Sequence, residues 1–298
     1  MDCLTPPISI LCITEARPHF QAHMLEQYFN VSKILPEHEL VVVTSCEDIE
    51  TLQNITVTAC GKHGIRPQEI ELITREFTKK SRGTRRITID STLPPVKSGY
   101  CTMGEKRNQA MKLSRFDHIT WIDDDDLQHD LRIFLVDEVG RWAARAKKIE
   151  GNEYSVVVRG NAPLLHIFKE RIANNTPRSH QWYQGIYYKP HAPEFDAINI
   201  GEDHYWTKQF LAEEEGDRVV VIGPPPIPLS VNVKHYENIS FVSKMSESSS
   251  RWAFGALPQY LDGGDGWTGV RALQKMLKVV QRERYEKFCS NPSASDEM

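Results

Sequence analysis

Strand-sized apolar runs alternate with amphipathic stretches over the first part of the chain. Residues 8–14 and 40–44 are almost continuously apolar, which is typical of strands buried on both faces of a parallel sheet. A helical pattern follows each run: the first spans residues 18–31, and the second begins near Cys46 with acidic residues in its first turn. This alternation of strand and helix predicts a doubly wound α/β sheet.

The same pattern extends toward the C-terminus. Further strands are predicted at residues 55–60, 87–91, 118–122, 154–159 and 218–222, and further helices at residues 68–78, 105–114, 131–149, 163–173, 201–215 and 270–288. Between residues 174 and 199 the periodicity is weak and aromatic, His and Pro residues are frequent, which favours an irregular segment over a site.

Composition is that of an ordinary globular protein. The 298 residues are 40% apolar and 26% charged with a net charge of −4, which excludes a disordered tail and a polybasic binder. No run approaches the roughly 18 apolar residues that a membrane helix needs, and the N-terminus lacks the features of a signal peptide. Six scattered cysteines without a CxxC spacing indicate reduced thiols. We therefore expect a cytoplasmic protein without a membrane span.

The most informative motif is WIDDDD, residues 121–126, in which an apolar strand runs into four aspartates. Ligands of open α/β sheets bind beyond the carboxyl ends of strands, so these carboxylates are expected at a site. Asp123 and Asp125 would face one side of an extended segment, and Asp124 and Asp126 the other. Adjacent carboxylates repel each other, and a hard cation would relieve that repulsion. A solvated acidic turn, or a helix cap at Asp126, is the alternative.

Two further pairs of polar residues lie at predicted helix starts. Arg107 and Asn108 begin the helix that leads back to the strand before the aspartates, and a guanidinium suits diphosphate oxygens. Glu202 and Asp203 open a later helix, where backbone donors hold an acid that can still face a cleft. The alternatives are a surface arginine and an acidic helix start that complements the helix dipole.

Residues 104–126, GEKRNQAMKLSRFDHITWIDDDD, resemble the glycine, Arg-Asn, helix, strand and Asp-x-Asp run of GT-A glycosyltransferases, close to glycosyltransferase family 2. The segments PISILCITEARP, LVVVTSCED, IGEDHYWTKQF and VKHYENIS are similar to other parts of that family in the expected order. The resemblance covers residues 8–240. It implies an α/β fold, a GT-A (Rossmann-like) mixed sheet flanked by helices in residues 1–240, followed by a C-terminal helical extension and tail in residues 241–298.

The resemblance also implies a chemistry and a set of site residues. It implies a metal-dependent, inverting glycosyltransferase, in particular a hexosyltransferase, with a nucleotide-diphosphate sugar such as a UDP-sugar as donor and Mn²⁺ or Mg²⁺ as the metal. The residues implied are Thr14, Glu15, Arg17, Arg107, Asn108, Asp123 and Asp124 for the nucleotide, Asp125 and His235 for the metal, and Asp203, with Glu202 second, as catalytic base. Family 2 usually ends its second strand in an Asp that contacts uracil or ribose. Here Thr44, Ser45, Glu47 or Asp48 lies near that position, so the nucleotide base stays open.

The sequence leaves both the acceptor and the class of protein open. The sequence lacks the P-loop, GxGxxG, GxSxG and HExxH motifs, which argues against P-loop kinases, dinucleotide oxidoreductases and common hydrolases. A basic stretch at residues 62–86 could meet phosphates or be a solvated surface. An aromatic set could stack a sugar or belong to the core: His180, Trp182, Tyr183, Tyr187, Tyr188 and Trp206. The acceptor is thus a glycan, a lipid-linked saccharide, a small molecule or a hydroxymethylated base in DNA. A nucleotidyltransferase or a nucleotide-sugar-binding protein is the alternative class.

Overall fold

The computed structural model describes residues 6–15, 17–31, 38–45, 49–63, 70–73, 78–79, 87–159, 164–166, 171–173, 184–199, 202–213, 218–223, 229–234 and 254–256. Within them the strands are β1 Ile8–Ile13, β2 Glu39–Val43, β3 Ile70–Ile73, β4 Thr78–Lys79, β5 Ile87–Asp90, β6 His118–Trp121, β7 Leu127–Gln128, β8 Ser155–Val158, β9 Leu164–His166, β10 Arg171–Ala173, β11 Tyr187–Tyr188, β12 Val219–Ile222, β13 Ser230–Lys234 and β14 Phe254–Ala256. The helices are α1 Pro18–Val31, α2 Ile49–Lys62, α3 Met103–Leu113, α4 Arg132–Ala146 and α5 Glu202–Glu213, with 3-10 turns at Val96–Ser98 and Lys189–His191.

The largest sheet has seven strands in the order β11-β6-β1-β2-β5-β3-β4. Its inner strands, β6, β1, β2, β5 and β3, are parallel, whereas β11 and β4 run antiparallel to their neighbours. The carboxyl ends of the parallel strands therefore lie side by side along one edge. This strand order confirms the predicted mixed α/β sheet.

Helices cover both faces of this sheet, because successive residues of a strand point to opposite faces. Every residue of β1 is buried. On one face Ile10 packs in a core cluster with Leu25 of α1. On the other face Leu11 belongs to a second cluster that includes Met111 of α3 and Trp206 of α5. The strand is thus buried on both sides, as its continuous apolar sequence predicts.

Smaller sheets extend this core. The parallel pair β8 and β12 joins the main sheet through an isolated bridge between Val156 and Ile186, the residue before β11, and α4 packs against both strands. A five-stranded sheet has the order β14-β10-β9-β13-β7. Because β7 follows the four aspartates directly, this second sheet lies next to the end of β6.

The prediction of a strand at residues 55–60 is wrong, because these residues lie in the middle of α2. Their β-branched side chains favour strands, but the Thr56 hydroxyl donates to the Leu52 carbonyl four residues earlier, at 2.7 Å. Val57 is largely exposed whereas Thr56 is buried. The helical period, and not the residue types, decides which side chains face the sheet.

Two predicted helices are also wrong, and in both cases strand pairing across the chain replaces the helix. Residues 68–78 contain β3, which pairs in parallel with β5, and the start of β4. Residues 163–173 contain β9 and β10, which pair antiparallel with each other and add β13 and β14 on either side. These partners are distant in sequence, so a local apolar pattern does not reveal them.

The other predicted elements that fall on described residues are confirmed, with end points shifted by a few residues. The helix at residues 270–288 lies outside the described residues. The division of the chain at residue 240 stays a prediction. No helix in the described part of the chain has the length and apolarity that crossing a membrane requires.

Candidate active site

Polar side chains collect where the parallel strands of the main sheet end. Backbone hydrogen bonds keep the strands aligned up to this edge: Thr14 N donates to Val43 O at 3.1 Å, and Thr44 N donates to Asp90 O at 2.8 Å. At β6 the last bond joins Ile122 to β1, and Asp123 to Asp126 follow at once. The four-aspartate run therefore lies beside the residues that follow β1, as expected at the carboxyl edge of an open sheet.

One flank of the run is formed by residues after β1. The Arg17 guanidinium donates to two neighbouring carboxylates, through Nη2 to Asp124 Oδ1 and through Nη1 to Asp125 Oδ2 at 3.2 Å. The Thr14 hydroxyl donates to the other oxygen of Asp124 at 2.7 Å. Arg17 lies over the Phe20 ring, 5.0 Å from its centroid. This flank joins a cation and a hydroxyl from the β1 segment to the run.

The opposite flank is formed by α3 and α5. Arg107 Nε donates to Glu202 Oε1 at 3.1 Å, and its Nη2 lies 3.8 Å from Asp123 Oδ1. The guanidinium also lies over the rings of Trp121 and Phe195, 5.2 and 5.7 Å from their centroids. Arg107 and Glu202 are both buried. Sequence reasoning placed Arg107 and Glu202 in separate roles, whereas the structure makes them partners.

Two aspartates of the run have displaced pKa values. Burial raises the pKa of Asp124 to about 7, with a further rise from the charge of Asp125 and an opposing effect of Arg17. Removal from water likewise raises the pKa of Asp123 to about 6, although Arg107 opposes this shift. The run is thus crowded with negative charge beyond what the two arginines balance, and added positive charge would be bound favourably there.

Glu15 and Asn108 are already engaged by neighbours. The ammonium group of Lys106, which is fully buried, donates to Glu15 Oε1. Asn108 uses its amide on the backbone of Phe195, donating to its carbonyl at 2.9 Å and accepting from its N–H at 2.7 Å. Asn108 therefore positions the loop before α5. Lys106 was missed in the sequence, where it looked like an exposed helical lysine beside Arg107.

Glycine at position 104 allows α3 to approach that loop closely. A Cβ atom there would lie 1.8 Å from the Asp196 carbonyl oxygen, and the Gly104 N–H donates to Ile198 O at 3.2 Å. The helix start itself is closed by a capping box in which Thr102 and Glu105 bond each other's backbone N–H groups. These contacts hold the start of α3 against the segment that leads into α5. Arg107 follows in the next turn of the same helix.

Asp203 follows Glu202 in the first turn of α5 but has different surroundings. Asp203 is half-buried, whereas Glu202 is buried against Arg107. Burial is the main cause that raises the pKa of Asp123, and the charge of Asp203 adds to that rise. The Thr207 hydroxyl donates to the Asp203 carbonyl oxygen at 2.7 Å. Of the two acids, Asp203 is the one placed at the rim of the site.

The ends of β2 and β5 carry two further polar residues, Thr44 and Asp90. Thr44 follows β2, where a family 2 member usually has Asp, and its buried hydroxyl has no hydrogen-bond partner among the described residues. Asp90 ends β5 and accepts from Gln109 Nε2 at 2.6 Å and from the Thr92 N–H at 2.8 Å. Asp90 was missed in the sequence, where its strand-end position is the only signal.

The aromatic set divides between the core and undescribed segments. Tyr187 and Trp206 are fully buried, with ring centroids 4.8 Å apart, so they are core residues and not an open stacking surface. Tyr188 is half-buried. His180, Trp182 and Tyr183 lie outside the described residues, as does His235.

The donor set suits a hard divalent cation, but only in combination with a ligand. Within the part of the chain that the structure describes, no group of three or more His, Cys, Asp or Glu side chains could hold a metal ion. Mg²⁺ is commonly bound by one or two carboxylates together with substrate phosphates and water. The half-buried Asp125 can supply one such carboxylate, and its ion pair with Arg17 shows that this carboxylate takes a cationic partner.

Comparisons with known proteins assign the chain to no family. No protein-family model matches the sequence, and no curated protein matches it significantly. Among solved structures, S. aureus TarS in complex with UDP-GlcNAc is 14% identical with a TM-score of 0.49, over 78% of this chain and 60% of TarS. The mannosyltransferase PcManGT from Pyrobaculum calidifontis, in complex with GDP-Man and Mn²⁺, is 12% identical with a TM-score of 0.48, over 80% of this chain and 59% of that chain.

A third similar structure is glucosyl-3-phosphoglycerate synthase from Mycobacterium tuberculosis in complex with Mn²⁺, UDP and glucosyl-3-phosphoglycerate, at 11% identity and a TM-score of 0.42, over 78% of this chain and 73% of that chain. This chain spans about 60% of the length of TarS. PcManGT is named a mannosyltransferase and the third protein a synthase of glucosyl-3-phosphoglycerate.

Proposed function

We propose that the protein is a metal-dependent, inverting glycosyltransferase that transfers a sugar from a nucleotide-diphosphate donor, with a UDP-sugar as first choice, to an acceptor hydroxyl. The observation that carries this proposal is the arrangement at the sheet edge. Two arginines, Arg17 and Arg107, approach a run of aspartates from opposite flanks, and a further carboxylate, Asp203, stands at the rim. Arginines recognise phosphate oxygens, and carboxylates suit cations and hydroxyls.

The donor would be bound by the residues that line this edge. Arg17 and Arg107 offer guanidinium groups to the diphosphate, and Asp123 or Asp124 would accept hydrogen bonds from the ribose hydroxyls. Thr14 and Glu15 lie on the β1 side, where the base would lie. The hydroxyl of Thr44 fits a contact with the base, because it is buried at the adjoining strand end and no described residue hydrogen-bonds to it. A neutral hydroxyl there leaves the choice of base to measurement.

A divalent cation would be held by Asp125, with His235 as a proposed second ligand. When bound, such a cation supplies positive charge that stabilises the nucleoside diphosphate as it leaves. This chain's contribution is to present Asp125 beside the arginines, so that the negative charge of the diphosphate meets a positive group on each flank.

Asp203 is the proposed catalytic base. In an inverting transfer, a carboxylate removes the proton from the acceptor hydroxyl as that oxygen attacks the anomeric carbon. Asp203 is half-buried at the first turn of α5, so its carboxylate remains accessible to an acceptor. Glu202 is better suited to hold Arg107 in place, because its carboxylate is buried and accepts a hydrogen bond from the Arg107 guanidinium.

The donors bound by similar structures define a first panel of compounds. TarS was solved with UDP-GlcNAc and PcManGT with GDP-Man and Mn²⁺. Thermal unfolding of the purified protein should be measured with UDP, GDP and their sugars, each with Mn²⁺, with Mg²⁺ or with chelator. A bound ligand at 100 times its Kd raises stability by about 2.7 kcal/mol. We expect stabilisation by one nucleoside family that disappears in chelator and in Asp125→Asn.

The products separate the proposed function from a nucleotidyltransferase. A glycosyltransferase that leaks its sugar to water releases a nucleoside diphosphate, whereas a nucleotidyltransferase releases pyrophosphate. The acceptor stays open between a glycan, a lipid-linked saccharide, a small molecule and modified DNA. Most of the basic stretch that would favour DNA, residues 62–86, lies outside the described residues. Duplex DNA binding at low salt therefore has to be measured directly.

A further inference from the structure

The two arginines at the site differ in what surrounds them, and this difference concerns how the site is filled. Arg17 pairs with Asp124 and Asp125, the latter being the proposed metal ligand. Its side chain is 22% exposed, whereas that of Arg107 is 6% exposed. Arg17 also precedes α1 by one residue, so that its backbone lies in the connection between β1 and α1.

A guanidinium and a divalent cation on the same carboxylate disfavour each other. Nη1 of Arg17 lies 3.2 Å from Asp125 Oδ2, which is a hydrogen-bonding distance, and a metal ligand oxygen lies about 2.0–2.6 Å from its cation. Both groups are positive, so binding of one on this carboxylate raises the energy of the other. In the ligand-free protein the guanidinium therefore offsets part of the negative charge on Asp125 that would attract the metal.

The diphosphate of a donor changes this balance, because it offers Arg17 another partner. Arginine binds phosphate oxygens through two parallel hydrogen bonds, which is at least as favourable as its divided contact with two separate carboxylates. Once Arg17 moves to the diphosphate, the positive charge of its guanidinium no longer lies on Asp125. A divalent ion can then bind to Asp125 and to the same diphosphate.

We propose that Arg17 is a movable counter-cation that makes metal binding depend on the nucleotide. This inference rests on the proposed function and adds the order in which the site fills. Without nucleotide, Arg17 occupies the carboxylates and the metal binds weakly. With nucleotide, Arg17 turns to the diphosphate and the metal takes its place. Arg107 does not move, because Glu202, Trp121 and Phe195 enclose it.

The test measures Mn²⁺ binding alone, by the loss of the free-ion signal in electron paramagnetic resonance, in the wild-type protein and in Arg17→Ala. We expect Arg17→Ala to bind Mn²⁺ without nucleotide at least roughly tenfold more tightly, within the usual range of coupling between sites. UDP should increase Mn²⁺ affinity strongly in the wild-type protein and much less in Arg17→Ala. Arg17→Lys should lie between them, because an ammonium group cannot bridge both carboxylates as a guanidinium does.

The control is Arg115→Ala. Arg115 is half-exposed and pairs with Glu39 at the opposite edge of the sheet, so its removal should leave Mn²⁺ binding unchanged. Circular dichroism on the same samples reports whether each variant is folded. If Arg17→Ala does not fold, Mn²⁺ binding is compared between the wild-type protein and Arg17→Lys. Unchanged or weaker Mn²⁺ binding in a folded Arg17 variant, with UDP still promoting Mn²⁺ binding in the wild type, overturns the inference and leaves the proposed function standing. Tighter Mn²⁺ binding in the variant, with no UDP binding in either protein, supports the competition and contradicts the proposed function.

Discussion

The two flanks of the aspartate run are built differently although each contributes one arginine. On the α3–α5 flank, Arg107 is 6% exposed and is enclosed by two aromatic rings and a buried carboxylate. On the β1 flank, Arg17 is 22% exposed and divides its contacts between two aspartates. A buried, fully enclosed charge pair holds neighbouring elements in place, whereas a partly exposed pair can exchange partners. Burial therefore separates the arginine that supports the site from the arginine that responds to ligand.

The largest effect is expected for Asp203→Asn, because it removes the proposed base and leaves the pairing of both arginines intact. Transfer to an acceptor should fall roughly 10²- to 10⁴-fold, the usual contribution of general base catalysis. Donor binding, measured by titration calorimetry with the nucleotide sugar, should stay close to wild type. Loss of donor binding in a folded Asp203→Asn protein would show that this residue holds the donor and is not the base.

Next in size is Arg107→Ala, which tests whether the α3–α5 flank is a support. Removing one partner of a buried ion pair leaves the other charge uncompensated, at a cost of about 3–5 kcal/mol. Chemical denaturation should show a loss of that size, whereas Arg17→Ala should lose less than about 2 kcal/mol, because the Arg17 side chain is itself partly exposed, although Asp124 is buried. Equal losses in the two variants would contradict the distinction between the flanks.

The Arg107–Glu202 ion pair on the α3–α5 flank can also be weakened by changing the carboxylate. Glu202→Gln keeps the shape and a carbonyl acceptor for Arg107 but removes the charge, so a loss of about 1–3 kcal/mol in unfolding free energy is expected. Glu138→Gln is the matched control, since Glu138 is a partly exposed partner of Arg141 on α4. Denaturation of both variants gives the comparison. A catalytic loss in Glu202→Gln as large as that in Asp203→Asn would exchange the roles of the two acids.

The smallest effect concerns the pH dependence of stability on the β1 flank. The pKa of Asp124 is raised from 3.8 to about 7 by burial, so the folded protein holds this proton more tightly than the unfolded chain. Its contribution to stability is therefore complete below about pH 4 and is lost as the pH rises through about 7. The stability of the wild-type protein relative to Asp124→Asn should decline between about pH 4 and pH 7 in the absence of metal.

Comparing the wild-type protein with Asp124→Asn removes the contributions that other titrating groups make equally to both proteins. His23, for example, has its pKa lowered to about 4 by burial, and it titrates in both proteins. Thermal unfolding of the two proteins across the pH range, in chelator, provides the measurement. A wild-type advantage that grows with pH would mean that Asp124 is stabilised in its charged form, contrary to its placement.

The sequence allowed prediction of those elements whose local pattern and packing agree. The apolar run of β1 and the strand leading into Asp123 lie as expected, because strands of a parallel sheet are buried on both faces. The strand expected at residues 55–60 failed because its β-branched residues lie on both the buried and the exposed sides of α2, with Thr56 buried and Val57 exposed. The helix expected at residues 163–173 failed because β9 and β10 are stabilised by strands from much later in the chain.

At the site, the sequence indicated which residues matter but not how they pair. Motif spacing brought out Arg107, the aspartates and the acids at the start of α5. It could not show that Arg107 binds Glu202 or that Arg17 lies on Asp124, since these partners are 95 and 107 residues apart. Lys106 and Thr44 lie in segments that carry the resemblance, but only burial and contacts distinguish them from ordinary surface residues.

The most direct test of the central claim is nucleotide release from a panel of UDP- and GDP-sugars, with Mn²⁺, in the wild-type protein and in Asp125→Asn. We expect the wild-type protein to release a nucleoside diphosphate from one donor, chelator to stop this release, and Asp125→Asn to lack it. Release of pyrophosphate would contradict a metal-dependent glycosyltransferase site at the aspartate run. Nucleoside diphosphate release that is as fast in Asp125→Asn, or in chelator, as in the untreated wild-type protein would contradict it as well.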